Sequence, residues 1–215
     1  MILAAAGSGS RYDAGTPKQF AALRGLPVYM HSLERFSSFI EVAVIVHPRG
    51  WQERIEEQIG PLAYRSKLLL QQGGPRRQDS VHLGLKRVEN TSETVLVHDA
   101  ARPFVSRDLI RRVIEIAARH GSCVPVLPVT DTLKRIGKEG VEETVAREGM
   151  GLSQTPQGFR TELLNRAFLQ AAEEGFYGTD ESQLVERLGI QIPTTPGERT
   201  NIKITWPEDL KEHLG

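Results

Sequence analysis

The sequence predicts an α/β fold: a mostly parallel sheet flanked by helices, with a β-hairpin arm protruding from it. Three observations carry this. Apolar runs of strand length alternate with amphipathic runs of helix length, the pattern of right-handed βαβ crossovers and therefore of a parallel sheet. Residues 42–46 read Val-Ala-Val-Ile-Val, continuously apolar as in a strand covered on both faces. Beyond residue 130 the alternation breaks, and two β-type runs flank Gly137-Lys138-Glu139-Gly140, a hairpin signal.

Each element is justified by its local pattern. Residues 1–6 form a buried strand, and residues 28–37 a helix with Met30, Leu33 and Phe36 at helical spacing. The strand at 42–46 is followed by a charged helix at 50–59 with Trp51, Ile55 and Ile59 on one face. A strand at 67–71 ends at Gly73-Gly74, and the helix at 79–88 presents Val81, Leu85 and Val88 as one stripe. A strand at 94–97 precedes Ser106, which can cap a helix to about His120 that buries Ile110, Val113, Ile114 and Ala117. A strand at 122–127 leads into the hairpin, 132–136 and 141–145. Then come a short strand at 151–155, a helix at 162–174, and a helix at 181–187 that Asp180 and Gln183 can box. A strand at 190–194 precedes a last helix that Thr205 and Glu208 can box. With no repeat, linker or low-complexity stretch, the 215 residues read as one domain carrying an arm at about 132–150.

Composition narrows the function. Lys plus Arg and Asp plus Glu are 27 each, and a zero balance argues against a dedicated nucleic-acid binder. No apolar stretch approaches the 18 or so residues of a membrane span, and the short apolar start has no basic lead, so no signal peptide is expected. Cys123 is the one cysteine, which excludes an internal disulfide and makes a cytoplasmic location the default. Among the basic residues 20 are Arg and 7 Lys, either a compositional habit or a provision for binding polyanions.

Familiar motifs are missing. A dinucleotide fingerprint needs a small third residue where Tyr12 stands. No P-loop, no Gly-x-Ser-x-Gly elbow and no His-Glu-x-x-His occurs. The first strand runs instead into Ala5-Ala6-Gly7-Ser8-Gly9-Ser10-Arg11, then Thr16-Pro17-Lys18-Gln19. Ala5 and Ala6 let a ligand approach the backbone. Gly7 and Gly9 permit a turn whose N–H groups face phosphates, and Arg11 and Lys18 bring two cations beside it.

This stretch resembles the start of nucleotidyltransferases that move a nucleoside monophosphate onto a phosphate acceptor. The resemblance continues through Gly73-Gly74 with Arg77 and Asp79-Ser80-Val81, Val97-His98-Asp99-Ala100-Ala101-Arg102-Pro103, and Asp131-Thr132 with Lys134 and Arg147. It closes with Gln154-Thr155-Pro156-Gln157, Thr179-Asp180-Glu181 and Asn201-Ile202-Lys203-Ile204-Thr205. Together these blocks resemble the 2-C-methyl-D-erythritol 4-phosphate cytidylyltransferase family of the non-mevalonate isoprenoid pathway. Ala4 stands where many members have Pro, and Pro75-Arg76 falls in a variable stretch.

The resemblance implies a Rossmann-like fold of the nucleotide-diphospho-sugar transferase type. The implied reaction is attack of the acceptor's phosphate on the α-phosphorus of CTP, releasing pyrophosphate. Arg11, Lys18 and Lys203 are implied as catalytic cations. Ala5, Ala6, Gly7, Gly9, Gly74, Arg77, Ser80 and Ala100 are implied around the nucleotide, with Gly74 and Ser80 at the cytosine and Ala100 at the ribose. Asp99, Arg102, Thr132, Arg147, Thr155, Thr179 and Lys203 are implied at the phosphorylated polyol. Asp99 closes a strand at the ligand-binding end of the sheet and suits Mg²⁺, whereas His98 reads as structural. The arm is expected to join a homodimer, with Arg147 completing the neighbour's site. A ribitol 5-phosphate cytidylyltransferase is the alternative reading, and neither nucleic acid nor membrane is an expected partner.

Overall fold

Alternation along the strands decides which helix covers which face. In the computed structural model, which describes residues 1–7, 12, 16–90 and 92–211, and only the backbone of Ser66, the predicted elements appear in their expected order, with a small early hairpin and one late strand added. β1 (Ile2–Ala4) leads through β2 (Ala22–Leu23) and β3 (Leu26–Pro27), a small hairpin, into α1 (Val28–Phe36). β4 (Ala43–His47), α2 (Gln52–Ile59), β5 (Leu68–Gln72), α3 (Arg77–Lys86), β6 (Thr94–Asp99), α4 (Arg107–His120) and β7 (Ser122–Pro128) complete the regular alternation. The arm is β8 (Leu133–Gly137) and β9 (Gly140–Val145). After it come β10 (Gly151–Ser153), β11 (Gln157–Arg160), α5 (Thr161–Glu173), α6 (Glu181–Glu186), β12 (Thr194–Pro196) and α7 (Pro207–Lys211).

The main sheet runs β10-β7-β11-β6-β1-β4-β5, with β12 beside β7. Strands β6, β1, β4 and β5 are mutually parallel. Their side chains divide strictly by parity. Leu3, Ala43, Ile45 and Leu96 face a core built with Leu33, Phe36, Ile55, Ile59 and Val113. Ile2, Val44, Val46, Val95 and Val97 face a second core with Val81, Leu85, Phe159, Leu164 and Phe168. Period-two alternation thus places both halves of an unbroken apolar run in cores, each fully buried large side chain contributing about 1.5–3 kcal/mol. Gly84 of α3 shows how close the helix lies: a Cβ there would sit 2.8 Å from Ile2 and 2.9 Å from Val46.

α4 starts at its predicted cap, although one residue expected in the core departs from prediction. Ser106 Oγ accepts from the Leu109 N–H, and the helix stops at Gly121 in the left-handed region, where glycine carries no penalty. Ile114 is only partly buried.

The structure corrects four expectations. β11 was not foreseen: Gln157 and Gly158 look like loop, yet this strand runs antiparallel between β6 and β7. A Cβ on Gly158 would lie 2.9 Å from both Val113 and Ala117, so only glycine lets α4 cross here. Gln157 is buried because Asp180, Ser153 and Ser182 satisfy its amide. The late strand falls at Thr194–Pro196 rather than 190–194, where pairing with β7 is available; Ile190 and Ile192 pack against the second core instead. Asp180 does cap α6, but the Gln183 side chain accepts from the Thr179 N–H, one residue early. At α7 the capping carboxylate is Asp209, not Glu208, accepting from Thr205 and Trp206.

Candidate active site

Open parallel sheets bind ligands beyond the carboxyl ends of their strands. A cleft of about 420 Å³ opens there, over the ends of β1 and β6. Its lining includes Ala6, Gly7, Lys18, Gly74, Arg77, Ser80, Asp99 and Lys203 from the predicted set, joined by Ala4, Gln19, Pro75, Arg76, Ala101 and Thr205. Among the described lining residues four cations, Lys18, Arg76, Arg77 and Lys203, face one carboxylate, Asp99. The neutral chain therefore carries a basic cleft. Arg11 and Gly9 lie outside the described residues.

The floor comes from the end of β1 and the residues after it, where Ala4, Ala6 and Gly7 line the cleft and Ala5, expected there, does not. Ala5 is buried, its N–H donating to Val46 O and its carbonyl accepting from the Gln19 side chain at 2.6 Å. The same Gln19 amide donates to Gly7 O at 2.8 Å, so a buried glutamine fixes where the glycine loop begins. Among the described residues a Cβ on Gly7 would meet nothing within 4 Å, so none of them crowds that backbone. Lys18 opens a 3-10 turn, Lys18–Phe20, anchored by Gln19 and by Phe20, whose ring stacks on Trp51 at 4.0 Å. Buried neighbours thus hold a half-buried lysine at the cleft.

The wall beside it is the turn between β5 and α3. Cβ atoms on Gly73 and Gly74 would lie 2.4 Å from Ala6 and 2.7 Å from Asp79, so both glycines are required by close approach. Ser80 Oγ accepts from the Gly74 N–H at 3.1 Å and donates to Arg76 O at 2.9 Å. Its hydroxyl holds this turn while its position lines the cleft.

Asp99 is the electrostatic centre. Arg77 Nε donates to its Oδ1 at 3.2 Å, Lys203 Nζ lies 2.8 Å from Oδ2, and Arg102 Nε lies 3.7 Å from Oδ2. Burial alone would raise the Asp99 pKa. Arg77, Lys203 and Arg102 reverse that and hold the carboxyl well below the usual range. For Arg77, burial works against the charge, but Glu181 and Asp99 outweigh it and raise its pKa. For Arg102, burial pushes the pKa down despite Asp99; its Nη1 donates to Asn201 O at 2.8 Å.

His98 and Thr155 fix the Asp99 backbone. The His98 ring is fully buried, and desolvation lowers its pKa to about 4, so it is neutral near pH 7. A neutral ring fits its contacts in one tautomer: Nε2–H donates to Arg102 O at 3.1 Å, and Nδ1 accepts from the Thr155 hydroxyl at 3.2 Å. Thr155 Oγ1 in turn accepts from the Asp99 N–H at 3.1 Å. Thr155 is 4% exposed, so here its hydroxyl serves the backbone rather than open space. The buried ring makes stability depend on pH. The folded His98 pKa lies below its ordinary 6.5, so the unfolded chain binds the extra proton first. Stability is therefore complete above pH 6.5 and falls on acidification, by on the order of 3 kcal/mol from this group by about pH 4. Urea denaturation at stepped pH is expected to show that slope, and His98→Gln to flatten it. An unchanged slope in the variant would contradict the assignment.

Other expected residues lie elsewhere. Ala100 is fully buried, with its N–H on Ala4 O and its carbonyl accepting from Ser32 Oγ; Ala101 stands at the cleft in its place. Thr132, Arg147 and Thr179 are exposed and do not line the cleft. Arg147 donates to Thr130 O and borders a separate cavity at the base of the arm, with Val126, Met150 and Pro196. Conversely, sequence reasoning assigned no role to Glu181, which is 1% exposed and bonded to Arg77. A glutamate in a first helical turn ordinarily reads as a partner of the helix dipole, and only its burial marks it out.

Comparison with known proteins agrees with this geometry. The family model for 2-C-methyl-D-erythritol 4-phosphate cytidylyltransferase matches residues 1–213. A protein of that name from Acidobacterium capsulatum is 43% identical, over 98% of this chain and 93% of its own. One from Syntrophus aciditrophicus is 39% identical over 97% and 91%. The crystal structure of the Thermus thermophilus enzyme superposes with a TM-score of 0.84 at 37% identity, covering 99% of this chain and 95% of that one. A strand order, a glycine-floored basic cleft and a match along nearly the whole length converge on one assignment: the chain belongs to the 2-C-methyl-D-erythritol 4-phosphate cytidylyltransferase family of nucleotidyltransferases.

Proposed function

We propose that this chain transfers CMP from CTP to 2-C-methyl-D-erythritol 4-phosphate, giving 4-diphosphocytidyl-2-C-methyl-D-erythritol and pyrophosphate. The observation that carries the reading is the cleft itself: an open glycine floor, cations on both sides and one buried carboxylate between them. The acceptor's phosphate oxygen forms a bond to the α-phosphorus as the bond from that phosphorus to pyrophosphate breaks. A phosphate dianion is already a nucleophile, so no general base is needed. Catalysis is positioning plus stabilisation of the growing negative charge. Lys18, Lys203 and Arg11 supply that stabilisation, the first two from distant stretches of chain. Ala6, Gly7, Gly9 and Gly74 let the nucleotide lie against backbone, with Ser80 near the base. Asp99 and Arg102 receive the phosphopolyol.

Among the described residues no three His, Cys, Asp or Glu side chains converge on a metal-sized site. One buried carboxylate does fit Mg²⁺, which keeps waters and phosphate oxygens as its other ligands. Asp99 would be its protein contact, and the ion would neutralise triphosphate charge when bound with CTP.

The arm supports a homodimer reading. Ile136 and Val141, cross-strand partners, are 67% and 61% exposed, and Met150 and Leu152 at the arm's base are exposed as well. Such apolar surface on a two-stranded arm suits a second copy. Arg147, which borders a cavity at the base of the arm rather than its own cleft, then serves the neighbouring one, and the chain works as one catalytic domain whose arm completes its twin. Among the described residues no helix is long and apolar enough to cross a membrane, and the reading places the enzyme in the cytoplasm.

The test is pyrophosphate release from each of CTP, ATP, GTP and UTP, with 2-C-methyl-D-erythritol 4-phosphate and with ribitol 5-phosphate. Turnover is expected with CTP and the first acceptor. Strong turnover with ribitol 5-phosphate and none with methylerythritol phosphate would overturn the reading.

A further inference from the structure

Arg77 is shared between two carboxylates. Its Nε donates to Asp99 Oδ1 at 3.2 Å, while its Nη1 donates to both oxygens of Glu181 at 2.7 and 2.9 Å. Glu181 does not line the cleft. It is the first residue of α6, which is pinned to the sheet: Asp180 Oδ2 accepts from Gln157 at 2.7 Å and from Ser153 at 3.0 Å, and Asp180 Oδ1 caps the helix. A rigid chain of bonds therefore runs from β10 and β11 through Asp180 and Glu181 to Arg77, and so to Asp99.

We propose that Glu181 is a positioning residue for the transfer reaction: it draws the Arg77 guanidinium aside, so that Arg77 braces Asp99 through one N–H at Oδ1 and leaves Oδ2 to Lys203, which lines the cleft. A guanidinium beside a carboxylate in a dry site favours two parallel hydrogen bonds. Without Glu181, Asp99 is the carboxylate that Arg77 still holds among the described residues, and a two-bond pair would compete with Lys203 for Oδ2. Glu181 is an expensive way to add stability alone, because burying an ion pair costs about what its attraction returns. Its geometric effect on Asp99 is what the arrangement supplies.

The inference rests on the reading that Asp99 receives the acceptor or its cation. Steady-state kinetics of Glu181→Gln, Arg77→Gln, the double variant and Asp99→Asn test it. Glu181→Gln is expected to lower kcat/KM for the phosphopolyol about ten- to a hundredfold, the range for residues that orient a ligating group. The KM for CTP is expected to change less than kcat/KM for the phosphopolyol, since Arg77 and Asp99 also line the nucleotide's cleft. The double variant should be no worse than Arg77→Gln alone, because the effect travels through Arg77. Wild-type kinetics in Glu181→Gln, losses that multiply in the double variant, or a loss confined to CTP would overturn the proposal. Should Glu181→Gln fail to fold, Glu181→Asp keeps the charge at shorter reach and is expected to show an intermediate loss; wild-type kinetics there would overturn it equally. Normal kinetics in Asp99→Asn would instead sink the reading of Asp99.

Discussion

Lys18→Ala is expected to lower turnover by about 10²–10³, the cost of removing one preorganised group that stabilises developing charge, while leaving the circular dichroism spectrum unchanged. The structure separates the two effects. The turn that carries Lys18 is held by Gln19, bonded to Ala5 and Gly7, and by Phe20, stacked on Trp51. None of these contacts involves atoms beyond the Cβ of Lys18, so truncation leaves the Gln19 bonds to Ala5 and Gly7 in place. A fall in kcat means Lys18 acts on the transition state. A rise in the KM for CTP with kcat intact would mean it binds ground and transition states alike. Near-normal turnover would remove it from the site.

Asp99→Asn is expected to damage both stability and activity. The amide keeps the shape but removes the negative charge that Arg77, Lys203 and Arg102 share. Breaking a buried ion pair from one side costs on the order of 3 kcal/mol, and less here because Lys203 stays partly in water. Arg77 keeps Glu181, so the loss concentrates on Lys203 and Arg102. Thermal unfolding is expected at a lower temperature than wild type, with kcat/KM for the acceptor reduced at least as far as in Glu181→Gln. A variant with wild-type melting and wild-type kinetics would show that the carboxylate organises nothing. The sign with pH is fixed as well: the folded Asp99 carboxyl titrates below its ordinary 3.8, so its stabilisation persists at neutral pH and fades only as pH falls below that value.

Much of this was legible in the sequence, because it obeys rules that act locally. The apolar run at 42–46 placed a strand between two cores, Ser106 marked the start of a helix running to about His120, and the small residues after the first strand include Ala6 and Gly7 of the cleft lining. Two of the failures share a cause: they depend on partners far along the chain. β11 was hidden because Gln157 is buried by amide bonds to residues 23 and 25 positions away, and because Gly158 reports on α4 rather than on its own neighbours. Glu181 was hidden because its partner lies 104 residues earlier. Ala100 and Ala101 could not be told apart, since both are small and only the turn after β6 decides which faces the cleft.

The central claim is that CMP transfer takes place in the cleft around Asp99. A crystal structure with CTP and Mg²⁺ tests it most directly. The account predicts the triphosphate over Gly7 beside Lys18, the cytosine against Gly74 and Ser80, and a cation contact at Asp99. Nucleotide density in another cavity, such as the one between Arg147, Met150 and Pro196 at the base of the arm, with the Asp99 cleft empty, would contradict it.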